Sequence, residues 1–136
     1  MAKLPIARGL LDTSVFVAIE QGRDLDYGGL PLEQFVSAIT RGELIAGIHA
    51  ATTADVRSVR MATIESLAGF STLAADSAAA THWGRLRQAV AAAGRRPNVN
   101  DLWIASIALA NDLPVVTQDH DFDVLAGLGG PQIVRV

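Results

Sequence analysis

The chain has 136 residues, half of them hydrophobic, no cysteine and a formal net charge of −3. That length suits one globular domain with a real core, and the missing cysteines exclude disulfides and thiolate metal sites. The negative balance argues against broad, non-specific attraction to nucleic acid, while leaving room for a local basic patch.

No linker-like tract, repeat or low-complexity block interrupts the sequence, so residues 1–136 are expected to form a single domain. No apolar run approaches the roughly 18 residues of a membrane span. MAKLPIARG does not continue into the apolar stretch of a secretory signal, so a soluble cytoplasmic protein without a membrane partner is expected.

In chain order, IARGLLDT reads as a short buried strand ending near Asp12, and SVFVAIEQ as the helix after it, capped by Thr13 or Ser14. GRDLDYGGLP is polar and rich in Gly and Pro, hence a loop. FVSAI is a second β-prone run, followed by a helix through RGELIAGIHAA. TTADVRSVRMATIESLA carries caps and the near-helical spacing of Val56, Val59 and Leu67. STLA is a candidate strand. A long helix then places Trp83, Leu86, Val90 and Ala93 on one stripe, and AGRRPNVN breaks it. DLWIASIALAND is apolar nearly all round, so that helix should be buried. PVVT is a strand, FDVLAGL a short helix and QIVRV a terminal strand. Strands that are continuous apolar runs, alternating with helices, imply an α/β architecture with a mainly parallel central sheet covered on both faces. Ligands of such sheets gather at the carboxyl ends of strands.

Four acids fall at element ends. Asp12 closes the first strand, where capping the next helix is an adequate structural role. Glu43 lies in the first turns of its helix and shares a face with Ala46, Gly47 and Ala50, while Leu44, Ile45 and Ile48 are expected to point into the core. Asp101 opens the most apolar helix behind Asn98 and Asn100, where it complements the helix dipole. Asp119 follows the fourth strand, where an Asx-turn explains it as well. Each acid alone is weak evidence; together they could converge on one sheet edge.

If they do, Coulomb's law constrains the outcome. Two carboxylates about 4 Å apart repel by roughly 4 kcal/mol at an effective dielectric of 20. Four of them stay ionised together only beside a cation; otherwise their pKa values rise. Oxygen ligands without Cys or a His pair select Mg²⁺, with Mn²⁺ as a substitute, over zinc. His49, His82 and His120 are scattered, and His120 next to the acids reads as a surface turn residue. The basic side chains are ten Arg and one Lys, with Arg57/Arg60, Arg85/Arg87 and Arg95/Arg96 clustered. A planar guanidinium suits phosphate, although a solvated helix face explains any one pair.

Competing acidic sites fail on residues. Asp119, Asp121 and Asp123 match three positions of a calcium-binding EF-hand loop, but its required Gly and Glu are here Val124 and Gly130. A phosphoacceptor receiver domain needs a Lys late in the chain, and the only Lys is Lys3. A haloacid-dehalogenase-type phosphatase needs a second Asp where LLDTSVF has Ser14. No GxSxG, Walker or GxGxxG motif is present.

LLDTSVFVA, VSAITRGELIAGI, NDLWIASIALANDLPVVT and TQDHDF, in that order, resemble the successive motifs of PIN-domain ribonucleases, most closely the VapC-type toxins of type II toxin–antitoxin pairs. The resemblance runs from about Leu10 to the end. It implies a three-layer α/β/α sandwich and Mg²⁺-dependent endoribonuclease activity. It also implies a catalytic set of Asp12, Glu43, Asp101 and Asp119. Asp12, Asp101 and Asp119 would hold metal, Glu43 and Asp121 are further candidate ligands, and Thr13 and Thr117 are supporting hydroxyls. RNA, a cognate antitoxin seated in an apolar groove, and a second copy of the chain are the implied partners, with Trp83 either a contact residue or, equally, a core residue. Asp123 is expected to face water or to start the last helix. The alternative function is a non-catalytic PIN-like module that binds RNA or protein through the same groove.

Overall fold

The computed structural model describes residues 5–136, so the opening MAKL, with the only lysine, lies outside the described residues. Five strands, Arg8–Leu11 (β1), Glu33–Ser37 (β2), Ser71–Leu73 (β3), Val115–Thr117 (β4) and Ile133–Arg135 (β5), form one sheet in the order β3-β2-β1-β4-β5. Every pairing is parallel, with Leu10 opposite Phe35 and Val115, and Leu11 opposite Val36 and Val116.

Alternation along the strands feeds two cores. Leu10, Phe35 and Val115 pack on the face covered by Ser77–Ala92 (α4) and Val99–Ala110 (α5). Leu11, Val36 and Val116 pack on the other, under Thr13–Glu20 (α1) and Leu44 of Ala38–His49 (α2). Because both faces are covered, the strands need no polar side, and the three-layer α/β/α expectation holds. The expected mainly parallel sheet is entirely parallel among the described residues. The buried helix foreseen in DLWIASIALAND is α5, which starts at Val99 and buries Leu102 and the run Ile104–Ala108.

Each helix begins where a side chain satisfies orphan N–H groups. The caps are Asp12, Ser37, Thr53, Asp76 and Asn98, ahead of α1, α2, Ala54–Glu65 (α3), α4 and α5. Of the cap candidates Asp12, Thr13 and Ser14, it is Asp12 that caps α1. Two other expectations are corrected. The strand foreseen in FVSAI ends at Ser37, whose hydroxyl accepts from the Thr40 N–H at 3.0 Å, so Ala38 and Ile39 form the first turn of α2. FDVLAGL forms only a short 3-10 turn, Asp121–Leu125.

The α2 and α3 faces also depart from expectation. Ile45 is 40% exposed, and Val56 and Val59 of α3 are 39% and 49% exposed. α3 buries none of its residues and lies mainly against α2. Helical spacing foretold the face but not that it stays partly open among the described residues. On the opposite side of the molecule, Trp83 of α4 stacks on Trp103 of α5 with centroids 5.2 Å apart, and its indole N–H is buried without a hydrogen-bond partner.

Gly9 marks a close approach in the sheet. A Cβ there would meet Val116 Cγ2 at 2.8 Å and Pro31 Cγ at 3.1 Å. In most strands Gly→Ala stabilises by restricting the unfolded chain; here overpacking against a buried, stiff valine outweighs that gain. Gly9→Ala is expected to cost about 1–3 kcal/mol, read as a lower urea midpoint at unchanged slope; an unchanged or raised midpoint would contradict the packing.

Candidate active site

The strand order reverses direction between β1 and β4: β2 and β3 lie on one side of β1, β4 and β5 on the other. Connections therefore diverge at the carboxyl ends of β1 and β4 and leave a crevice there. Asp12 follows β1 directly, its N–H still bonded to Val116 O at 2.8 Å. Thr117 ends β4, and Asp119 and Asp121 follow it. Glu43 comes from the second turn of α2 and Asp101 from the first turn of α5.

These residues meet. A cleft of about 300 Å³ is lined by Asp12, Glu43, Asp101, Asp119 and Asp121, together with Thr13, Ser14, Val17, Arg23, Asn98 and Gln118. Of the acids foreseen at element ends, all four are in it, and Asp121 joins them. Asp123 does not. It is exposed and binds Arg135 and His120, and the hydrogen bond from Arg135 holds its carboxyl below the usual range. His120, paired with it at 3.3 Å, is the surface turn residue that was expected.

Asp12 is buried, and its two oxygens differ. Oδ2 accepts from the Ser14 hydroxyl at 2.7 Å, the Thr117 hydroxyl at 2.9 Å and the Ser14 N–H at 3.4 Å. Oδ1 accepts nothing among the described residues and keeps solvent contact on the cleft. One oxygen fastens the side chain to the fold; the other is left for a ligand. Burial is the main effect that raises the Asp12 pKa, partly offset by those hydroxyls.

Asp119 Oδ1 accepts the Asp121 N–H at 3.0 Å, so the Asx-turn foreseen as its structural role exists as well. Thr117 lies 3.3 Å from the same oxygen and so connects Asp12 to Asp119. Thr13 Oγ1 donates to Glu43 Oε1 at 2.8 Å and sits 2.9 Å from the buried Thr40 hydroxyl. Asn98 caps α5 through its side-chain oxygen, bonded to the N–H groups of Asn100 and Asp101.

Asp101 carries the strongest electrostatic signature. At a helix N-terminus a carboxylate should be favoured, yet its pKa is raised to about 7. Desolvation is the largest cause, followed by the charges of Asp12, Asp121, Asp119 and Glu43. Burial and like charge thus defeat the dipole.

Sequence reasoning missed three contributors. Ser14 was read only as a cap, yet its hydroxyl holds Asp12, lies 3.1 Å from Thr117 and accepts from the Gln118 N–H at 3.0 Å. Gln118 donates through Nε2 to Asp24 O and Val136 O. Arg23 is the one cation on the cleft wall. A hydroxyl two residues after a strand-end acid was the available signal for Ser14; the other two had none.

The donor set is all oxygen, the class that Mg²⁺ prefers. As the side chains stand, no three acidic or histidine groups among the described residues are arranged to hold a metal ion directly. A cleft walled by separate carboxylates, with room for water between them, still fits Mg²⁺, which keeps several of its waters and takes only one or two carboxylates from protein. The uncompensated negative field recorded by Asp101 is the independent sign of that fit.

The PIN domain family model matches residues 9–128. The chain is 48% identical to ribonuclease VapC5 of Mycobacterium tuberculosis over 130 residues, 96% of each protein, and 37% identical to ribonuclease VapC4 of the same organism over 119 residues, 86% of this chain and 90% of the relative. A solved structure of VapBC-5, a member of the VapBC family of toxin–antitoxin systems from M. tuberculosis, superposes with a TM-score of 0.88 at 46% identity, covering 96% of this chain and 99% of the other. By the family match over residues 9–128, the 48% identity and the superposition of the whole fold, the chain belongs to the PIN-domain family and, within it, to the VapC-type ribonucleases of toxin–antitoxin systems.

Proposed function

We propose that this protein is a Mg²⁺-dependent endoribonuclease toxin that hydrolyses RNA phosphodiester bonds and is held inactive by a cognate antitoxin. The observation that carries the reading is the convergence of five carboxylates from four separate segments on one crevice, with Asp101 pushed up to about 7 by burial and by the others. Asp12, through its open oxygen, Asp101 and Asp119 would hold the cation directly or through water, with Asp121 at the rim. Bound there, Mg²⁺, or Mn²⁺ in its place, supplies Lewis acidity at the phosphate and lowers the pKa of attacking water. Glu43, fixed by Thr13, orients that water. Water oxygen attacks phosphorus, the bond from phosphorus to the 3′ oxygen breaks, and the leaving oxygen takes a proton. The products are a 5′-phosphate and a 3′-hydroxyl.

The antitoxin has a plausible seat. An apolar groove of about 470 Å³ runs between α1 and α3, lined by Phe16, Ile19, Leu30, Val59 and Phe70, beside the uncovered face of α3. A segment with apolar anchors would dock there and extend a basic side chain toward the acids. The VapBC-5 complex among the relatives supports such a partner. Homodimerisation is part of the same reading, tested by light scattering of the free protein and of the complex.

Three outcomes follow. Asp12→Asn keeps an acceptor for the cap but removes the ligand charge, so Mg²⁺-dependent RNA cleavage should fall by roughly 10³-fold or more while the melting temperature does not drop; a fully active, EDTA-sensitive variant would refute the assignment. Binding of RNA by wild-type protein without metal-dependent fragments would instead favour the non-catalytic module.

The second concerns pH. Asp101 has a folded pKa of about 7, against an ordinary value of 3.8. The native state therefore binds the proton more tightly, and stability falls as pH rises from about 4 to 7. In EDTA, Asp101→Asn should raise the melting temperature at pH 8 by about 5 °C and leave it unchanged near pH 3.5; adding Mg²⁺ should stabilise the wild type more than the variant. An equal effect at both pH values would contradict the electrostatic account.

The third tests the groove. Val59→Asp places a charge on its apolar wall and should weaken the antitoxin complex by at least about tenfold in calorimetry; an unchanged affinity would move the antitoxin elsewhere.

A further inference from the structure

The ten arginines fall into two groups. Most are already committed: Arg8 to Glu33 and the Phe35 ring, Arg41 to the Thr72 hydroxyl, Arg57 and Arg60 to carbonyls of Ala51 and Gly47. Arg85 holds the carbonyls of Leu128 and Gly129, Arg95 those of Val124 and Ala126, and Arg135 that of Asp119. Among the described residues only Arg23, Arg87 and Arg96 make no side-chain hydrogen bond or ion pair, and of these only Arg23 lines the acidic cleft. It shares that wall with five carboxylates yet pairs with none within 4 Å.

The backbone of Arg23 is held on both sides. Gly22, at φ +65°, ends α1 in the left-handed conformation that suits glycine. The Gly22 N–H bonds Ile19 O at 3.2 Å and the Arg23 N–H bonds Ala18 O at 2.9 Å, the paired bonds of a Schellman cap. The next residue, Asp24, is fastened through its carbonyl to Gln118 at 2.7 Å, the residue between Thr117 and Asp119. A guanidinium with no internal partner is thus mounted on a fixed base at the edge of the cleft, tied to the segment that carries the acids.

We propose that Arg23 grips an RNA phosphate adjoining the scissile one, its forked N–H groups supplying the attraction that the carboxylate wall cannot. This rests on the ribonuclease reading of the cleft. A bound cation would neutralise the acids beside the reacting phosphate, while the neighbouring phosphates would lie along the same carboxylate-lined cleft. A planar, always-charged fork suits them. Arg23 is then a substrate-holding residue whose contact is equally strong before and during reaction, so it governs KM rather than kcat.

The test compares wild type, Arg23→Ala, Arg23→Lys and Arg87→Ala. Arg87 is an exposed, unpaired arginine of α4 away from the cleft. Affinity for a fluorescent single-stranded RNA is read by anisotropy across a salt series, with Ca²⁺ in place of Mg²⁺, and steady-state cleavage is read with Mg²⁺. Arg23→Ala should weaken binding roughly tenfold and lower the salt slope by about 0.7. It should raise KM and leave kcat within about twofold. Arg23→Lys should restore the slope and part of the affinity, and Arg87→Ala should match wild type. Wild-type affinity and slope in Arg23→Ala, a loss equal to that of Arg87→Ala, or no RNA binding by any of the proteins overturns the proposal. Failure of the ribonuclease reading has another signature: binding that depends on Arg23 but yields no fragments with Mg²⁺.

Discussion

Carboxylates held together by the backbone repel one another, and in this protein the fold gives them no internal relief. Asp12 is buried behind β1, Asp101 sits at the rim of α5, and the nearest arginine lines the same wall without pairing. The cost surfaces at Asp101, whose pKa is raised to about 7 first by burial and then by the charges of Asp12, Asp121, Asp119 and Glu43. The remainder of the site limits that cost without cancelling it. Hydroxyls of Ser14 and Thr117 satisfy one oxygen of Asp12, Thr13 satisfies one of Glu43, and the Asp121 N–H satisfies one of Asp119. Half of each of these three carboxylates is spent on structure, which fixes the position of the other half.

The sheet makes this arrangement possible. β1 is the middle strand, flanked by β2 and β4, so Asp12 emerges at the only point where neighbouring connections depart in opposite directions. The arginines contribute in a different currency from the one their number suggests. Arg85, Arg95 and Arg135 bond main-chain carbonyls along residues 119–129, a stretch with little regular structure, and so hold the loop that carries Asp119 and Asp121. Their guanidinium charge matters less there than their reach and their several donors.

Much of this was legible in the sequence, and the divide follows from range. Strands showed as short apolar runs, helix starts as Asp, Ser, Thr or Asn ahead of apolar periodicity, and the acids as charges at the ends of both. Those are local signals. The misreadings came from interactions that only the closed chain creates. FVSAI kept its β propensity through Ile39, yet Ser37 turned its hydroxyl to the Thr40 N–H and began a helix. Ile45 had the right spacing for a core residue, yet it stays 40% exposed beside an α3 that buries none of its own residues. Ser14 and Gln118 gained their roles from partners about a hundred residues away, and a neighbourhood of that kind leaves no trace in spacing.

The stacked indoles give this molecule an optical property. The chain has only two tryptophans, and both lie in the single pair formed by Trp83 and Trp103 across α4 and α5. Trp103 stands two positions after Asp101 on the same short helix. Tryptophan emission, excited beyond the absorption of Tyr27, therefore reports from one place, the seam that sets where α5 presents its first turn. Rings this close couple electronically, so a small slide of that helix would register as a change in band shape before any gross unfolding. A dye-free readout of events at the acidic crevice is thus written into the aromatic content of the chain.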